Sequence, residues 1–228
     1  MPHQRITTLM IAIFILTITS GCASQYRKRD DEATKKVKRA AIIAFIDKEP
    51  ASNKIGISLN SGKSSTELGG SSFYQTGAVP DAVYRDLAVA VKKATGWTIA
   101  SHEDVTSNPL YADEAKKMMA PVKIFFLPKP GENWFTAKDI MVPKAAENLG
   151  REGRTKLLNA LNVDAVIVAE VNTSVTGGFS MNGFGSRRPQ SKFDMQVYQR
   201  DAAEPIWIEG ATGPKSEESL GWVGFIDE

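Results

Sequence analysis

Val163-Asp164-Ala165-Val166-Ile167-Val168-Ala169-Glu170-Val171-Asn172-Thr173-Ser174-Val175 starts as a nearly continuous apolar run and finishes as an alternating one. An unbroken apolar run marks a strand buried on both faces, and alternation marks a strand with one wet face. The first half is therefore expected at the centre of a sheet and the second half protruding from it. Ahead of it, Arg151 to Leu161 reads as a helix with Leu157, Leu158 and Leu161 as its buried stripe. Behind it, residues 176–190 carry Gly177, Gly178, Gly183 and Gly185, which suit a hairpin tip. Phe193, Met195 and Val197 then alternate, Asp201 to Glu204 make a turn, and Ile206-Trp207-Ile208 read as the last strand. The pattern is an antiparallel meander with one long tip. Trp222, Val223, Phe225 and Ile226 are expected to pack the tail back on the body.

The upstream half supplies the other layers. Ala40 to Ile46 is a second buried-strand run, closed by Asp47 and Pro50. Residues 51–79 are rich in Ser and Gly and read as a long loop, apart from a brief alternation at Ile55, Ile57 and Leu59. Pro80 and Asp81 open a helix with Val83, Leu87, Val91 and Ala94 on one face, Lys92 and Lys93 in its last turn, and Gly96 just past its end. Trp97 to Ala100 reads as a strand. Pro109 suits a first helical position, and Leu110 to Ala120 continue that helix. Val122, Ile124 and Phe126 alternate, which predicts a strand over 121–127. Residues 129–149 read as irregular with one short helix limited by Pro143. The fold class that follows is α/β: a mixed sheet flanked by helices, ending in an antiparallel meander, in a single domain over residues 40–228.

The amino terminus reads as an address. Met1-Pro2-His3-Gln4-Arg5 is a short basic start, Ile6 to Ile18 is an apolar run, and small residues precede Cys22. That is the layout of a secretory signal peptide over residues 1–21, too short for a membrane span of about 20 residues. Thr19-Ser20-Gly21-Cys22 resembles the lipobox of bacterial lipoproteins, whose cysteine is lipidated and becomes the mature first residue. The resemblance implies several acyl chains on Cys22 and hence stable anchoring. With Ala rather than Asp at position 23, it also implies the outer membrane, on its periplasmic face. In residues 22–39 seven basic residues face three acidic ones, with almost nothing to bury. This stretch is expected to be a solvated tether.

Composition excludes several classes of chemistry. The net charge of +2 is no footprint for nucleic acid. Cys22 is the sole cysteine, so the reading leaves no disulfide framework, thiolate metal site or cysteine nucleophile. Beyond the signal, His102 is the one histidine. Gly56 to Ser64 nearly spells a phosphate-binding loop, but five residues rather than four separate Gly56 from Gly62, and Ser-Thr-Glu-Leu-Gly-Gly follows instead of a helix. Ser101-His102-Glu103-Asp104 reads as a strand-end turn in which Asp104 or Ser107 caps the next helix. Asp47, Asp104, Asp164 and Glu170 are too scattered to assign as an acid–base pair. No catalytic residue, cofactor or metal is expected.

The order of elements, with Trp97-Thr98-Ile99, the run from Leu158 to Val171, Val197-Tyr198 and Ile206-Trp207, is similar to one periplasmic domain group. Its members are the curli-secretion lipoproteins, the lipoprotein activators of penicillin-binding proteins and the amino-terminal domain of TolB. The group's "Ala-Asp-x-Val-x-x-Gly" slot reads Val163 to Ala169 here, with Ala169 in place of the usual Gly. The resemblance covers about residues 38–212 and implies a mixed sheet flanked by helices. It also implies a non-catalytic envelope module with an envelope protein partner or a second copy of itself. The alternatives are a protomer of a curli-type secretion pore, for which residues 171–198 would supply one membrane hairpin, and an envelope hydrolase. The expected contact surface is Phe179, Met181 and Phe184, apolar residues set among polar ones and rimmed by Arg187 and Arg188.

Overall fold

A computed structural model of the chain describes residues 24–50, 76–125, 132–176, 180–181, 184–213 and 220–223. The signal peptide, Cys22, the phosphate-loop-like stretch and Phe179 lie outside the described residues. The strands are β1 (Ser24–Arg29), β2 (Arg39–Pro50), β3 (Thr98–Ile99), β4 (Glu132–Phe135), β5 (Ala165–Thr176), β6 (Ser180–Met181), β7 (Phe184–Gln199), β8 (Trp207–Thr212) and β9 (Leu220–Val223). The helices are α1 (Asp31–Lys35), α2 (Ala78–Thr95), α3 (His102–Thr106), α4 (Pro109–Phe125), α5 (Pro143–Asn148) and α6 (Gly150–Ala160). The sheet is mixed, in the order β1-β8-β7-β5-β2-β3. β2 runs parallel to β3 and β5, while β5, β7, β8 and β1 are mutually antiparallel.

The two apolar runs sit at the middle, as their composition demands. Ala40 to Ile46 of β2 and Ala165 to Ala169 of β5 are all buried. Such strands need cover on both faces, and they have it. Residues opposed across an antiparallel pair share a face, so Trp207 lies with Val197 and Tyr198 with Val166, on opposite sides of the sheet. Trp97, which follows α2, meets Trp207 edge-on at 5.9 Å. Arg154 of α6 stacks over Tyr198 at 4.2 Å. The helices therefore flank the sheet on both sides. Two buried tyrosines fix them to β2: Tyr84 of α2 donates to the Ile42 carbonyl at 2.9 Å, and Tyr111 of α4 to that of Ile43 at 2.7 Å. Burial raises both phenols above their ordinary pKa. Leu157, Leu158 and Leu161 are buried as their spacing predicts. Gly96 ends α2 at φ 76°, the left-handed region that glycine enters without strain.

Several expectations need correction. The predicted tether of residues 22–39 is folded from Ser24 onward: β1 pairs with β8, and α1 follows, capped by the Asp30 side chain on the Ala33 N–H. Two of its cations meet β8 in place of a hydrophobic face: Arg27 pairs with Glu209, and Arg29 stacks over Trp207. The predicted strand over 121–127 is helix as far as Phe125, with Pro121 inside it. Tyr111, Ala115, Met118, Met119 and Val122 recur at helical spacing against the core, and this stripe outweighs the local alternation. The stripe of α2 is Val83, Tyr84, Leu87, Ala90 and Val91, and Ala94 is exposed. At 101–104, Ser101 is itself the cap. Its hydroxyl accepts from the Asp104 N–H and Asp104 accepts from the Ser101 N–H, both at 3.0 Å. Asn108 caps α4 through the Tyr111 N–H, and Ser107 closes α3. β4 occupies part of the region read as irregular and pairs with the end of β2. Trp207 is not in the last strand: β9 follows and pairs with the far end of β7, while Phe225 and Ile226 lie outside the described residues.

Candidate functional site

β7 is 16 residues long, and β8 covers only Lys192 to Val197 of it. The excess has a local cause. β5 keeps alternating after its buried half, through Val171, Thr173 and Val175, so it goes on pairing with β7 as far as Thr176 opposite Arg188. Among the described residues, β2 pairs with β5 as far as Lys48 opposite Asn172, and its last described residue, Pro50, has no N–H to give a ladder. Past Asn172 the two strands leave the sheet as a two-stranded ribbon. Ser180 and Met181 of β6 pair with Gly185 and Phe184, and β9 lies along the other side of β7 from Phe184 to Arg187. Among the described residues, no strand pairs with the outer edge of Thr173 to Thr176.

The ribbon holds four of the five expected contact residues. Met181 and Phe184 are opposed to each other, and Phe184 is opposed to Val223 on its other side, so these three apolar residues form one row across three strands. Arg187 is opposed to Leu220 and Arg188 to Thr176. Polar residues fill the middle: Thr173 meets Ser191 through their hydroxyls at 3.0 Å, and Ser174 donates to the Gln190 carbonyl.

The four scattered carboxylates are not brought together. Asp164 accepts from the N–H groups of Lys38 and Arg39, both at 2.9 Å, and so fixes the start of β2. Asp104 belongs to its capping box, where the Ser101 N–H and hydroxyl hold its carboxyl below the usual pKa. Glu170 pairs with Lys48 at 2.7 Å, and Lys48 also lies 5.1 Å over the Trp134 ring. Asp47 is opposed to Val171 and Glu170 to Ile46, so these two neighbours in the sheet lie on opposite faces and cannot share a reacting atom. Asp47 is 6 % exposed, and one of its carboxylate oxygens has no hydrogen-bond partner. Burial, with a smaller push from Glu49, raises its pKa to about 8. It therefore carries its proton at neutral pH. The His102 ring donates from Nε2 to the Lys138 carbonyl at 2.7 Å and meets Tyr84 edge-on, a structural placement.

A buried ionic group that sequence reading missed holds β1 in place. Glu209 of β8 is 3 % exposed. It accepts from the Trp207 indole N–H at 2.9 Å and pairs with Arg27 of β1 at 3.2 Å. Arg29 stacks over the Trp207 ring at 4.8 Å and also pairs with Asp31. Only the register that opposes Arg27 to Glu209 and Arg29 to Trp207 makes these partners visible. The sequence signal is the pair Arg27 and Arg29 two apart, matched by Trp207 and Glu209 two apart.

No family model and no curated protein matches the chain. Among solved structures it is similar to the C-terminal domain of LpoB from Salmonella enterica. The identity is 8 % and the TM-score 0.33, over 77 % of this chain and 81 % of that one. It is also similar to a lipoprotein from Neisseria meningitidis, at 11 % identity and a TM-score of 0.35, over 80 % of this chain and 87 % of that one.

Proposed function

We propose that this protein is a non-catalytic envelope lipoprotein, held at the periplasmic face of the outer membrane by an acylated Cys22, which docks on an envelope partner through its β5–β7 ribbon. The observation that carries the docking half is the ribbon itself. It leaves the sheet with an edge at Thr173 to Thr176 that no strand among the described residues covers, and it carries Met181, Phe184, Arg187 and Arg188. An uncovered strand edge offers N–H and C=O groups to an added strand, one of the recurring ways in which a partner is recognised. Phe179 is assigned to the same surface from its place in the sequence. The anchoring half is supported by the basic start, the apolar run and Ser20-Gly21-Cys22.

The pore alternative asks the same ribbon to span a bilayer, which requires one continuous apolar face along each strand. Arg187 and Arg188 are consecutive in β7, so the sequence of that strand offers no continuous apolar face. The ribbon suits a contact made in water or at an interface better than a lipid-facing wall. A photo-crosslinking side chain at Thr173 or Arg188 tests the docking. In intact cells these positions are expected to give discrete protein adducts, while exposed Asn159 on α6 gives none. Anchored protein that yields no adduct from either ribbon position would refute docking through the ribbon.

A further inference from the structure

β2 ends in Asp47-Lys48-Glu49-Pro50, and strand alternation sorts the first three. Lys48 turns to one face of the sheet, where it pairs with Glu170 at 2.7 Å and lies 5.1 Å over the Trp134 ring. Asp47 and Glu49 share the other face, about 7 Å apart along the strand. The cation nearest to them in sequence is therefore on the wrong side of the sheet for both carboxyls. Among the described residues, neither carboxyl forms an ion pair.

The neighbouring strands set the walls around this pair. β4 runs antiparallel to the end of β2, with Phe135 opposed to Asp47 and Asn133 opposed to Glu49. Directly opposed residues share a face, with Cβ atoms about 5 Å apart. On the other side of β2, Val171 of β5 is opposed to Asp47. Asp47 thus sits between two apolar residues, at the inner end of a short polar row. Glu49 and Asn133, both half-buried, make its outer end. Within this row one atom is unsatisfied: the Asp47 Oδ1 is buried and accepts no hydrogen bond.

Burial pushes the pKa of Glu49 up as well as that of Asp47. A proton on Asp47 removes its charge but leaves a buried polar atom without a partner, which is costly. A bound cation answers both the charge and the missing partner. Two carboxylates balance a divalent charge, and the Asn133 side-chain oxygen adds a neutral ligand. All three are hard oxygen donors, the kind that calcium and magnesium take. Calcium accepts oxygens at about 2.3–2.6 Å in a flexible geometry and completes its shell with water, so a half-open row suffices. Among the described residues no three of His, Cys, Asp and Glu gather, which fits an oxygen site and not a zinc-type one. We propose that Asp47, Glu49 and Asn133 form a binding site for a calcium-type divalent cation, which ties the end of β2 to β4. The site depends neither on the lipid anchor nor on the envelope partner. The expectation of no metal rests on the scarcity of histidine and cysteine, and oxygen ligands drawn from two strands distant in sequence escape that reading.

The test uses the full-length protein in a non-ionic detergent, stripped of metal with EDTA and then freed of the chelator. Calcium chloride at about 5 mM should raise the melting temperature by at least about 5 °C over potassium chloride of equal ionic strength. Titration calorimetry with calcium should count one ion per chain. Asp47→Asn and Glu49→Gln should each cut the shift to less than about a third, with circular dichroism unchanged in the absence of the ion. Glu170→Gln, on the opposite face of the sheet, should keep the shift. Wild-type protein that neither melts later nor takes up calcium would overturn the site. So would a shift that survives both Asp47→Asn and Glu49→Gln, because the ion would then be held elsewhere. If one of the two variants fails to fold, the calorimetric count on the other decides.

Discussion

β2 and β1 belong to the same sheet, yet they are specified in opposite ways. β2 carries its reason in its own residues: seven apolar positions from Ala40 to Ile46, buried between two helical layers. Any register that kept them dry would satisfy most of their energy, since burial is non-directional. β1 has Arg27, Lys28 and Arg29, and its side chains from Arg27 onward are exposed. Its place depends on partners two positions apart on β8, Trp207 and Glu209. A central strand is thus written in composition, and an edge strand in the match between two distant segments. The first survives most surface changes; the second hangs on a few groups.

Four substitutions press on this contrast. Phe45→Ala should cost most, about 3–5 kcal/mol in chemical denaturation, because the side chain is fully buried against Tyr84 and the site cannot collapse to fill the hole. A loss below about 1 kcal/mol would show that the β2 run is less tightly packed than its burial implies.

Asp47→Asn tests the one ionisable group that the β2 run drags into the core. In the folded protein its carboxyl keeps its proton to about pH 8, whereas in the unfolded chain it loses it near 4. Between those values the unfolded chain binds fewer protons, so stability should fall as pH rises through that window. Replacement by Asn should flatten this fall and raise stability at pH 7 by up to about 4 kcal/mol. Melting temperatures recorded from pH 4 to 8 would check it, and parallel curves for the two proteins would contradict it.

Glu209→Ala removes the acceptor that Trp207 and Arg27 share. It should cost about 1–3 kcal/mol through the buried indole N–H left unpaired. The loss should appear chiefly as faster proteolysis near Arg27 to Arg29, with the far end of the sheet unaffected. Glu209→Gln, which keeps the acceptor, should recover much of it. Asp30→Ala should do least, about 1 kcal/mol, by removing the cap of α1. Circular dichroism melts of the pair would rank them, and equal costs would mean that β1 is held by something other than its ionic partner.

The same contrast explains what could be read in advance. The buried halves of β2 and β5, the stripe of α6 and the glycine closing α2 announce themselves locally, because burial and chain chirality act on the residue itself. The hairpin of β5 with β7 was legible from glycine content and alternation. The alternation of Val122, Ile124 and Phe126 misled, because it was weighed without the helical core stripe that runs from Tyr111 to Val122. β1, β4 and β9 were missed because each is short and borrows its order from a strand far away in sequence. The end of the ribbon was half legible: Met181 and Phe184 stand out as apolar residues in a polar setting, but Val223 is opposed to Phe184 only through the pairing of β9 with β7.

The central claim is that Ser24 to Arg29, within the stretch that reads as a tether, is already a strand of the sheet. Amide hydrogen exchange of the full-length lipidated protein, read over Tyr26 to Asp30, tests it directly. The account predicts protection at least about a hundredfold over an unstructured chain, as for strand amides that open only with local unfolding, and its loss in Glu209→Ala. Exchange over Tyr26 to Asp30 at the rate of an unstructured chain, with β2 fully protected in the same sample, would contradict it.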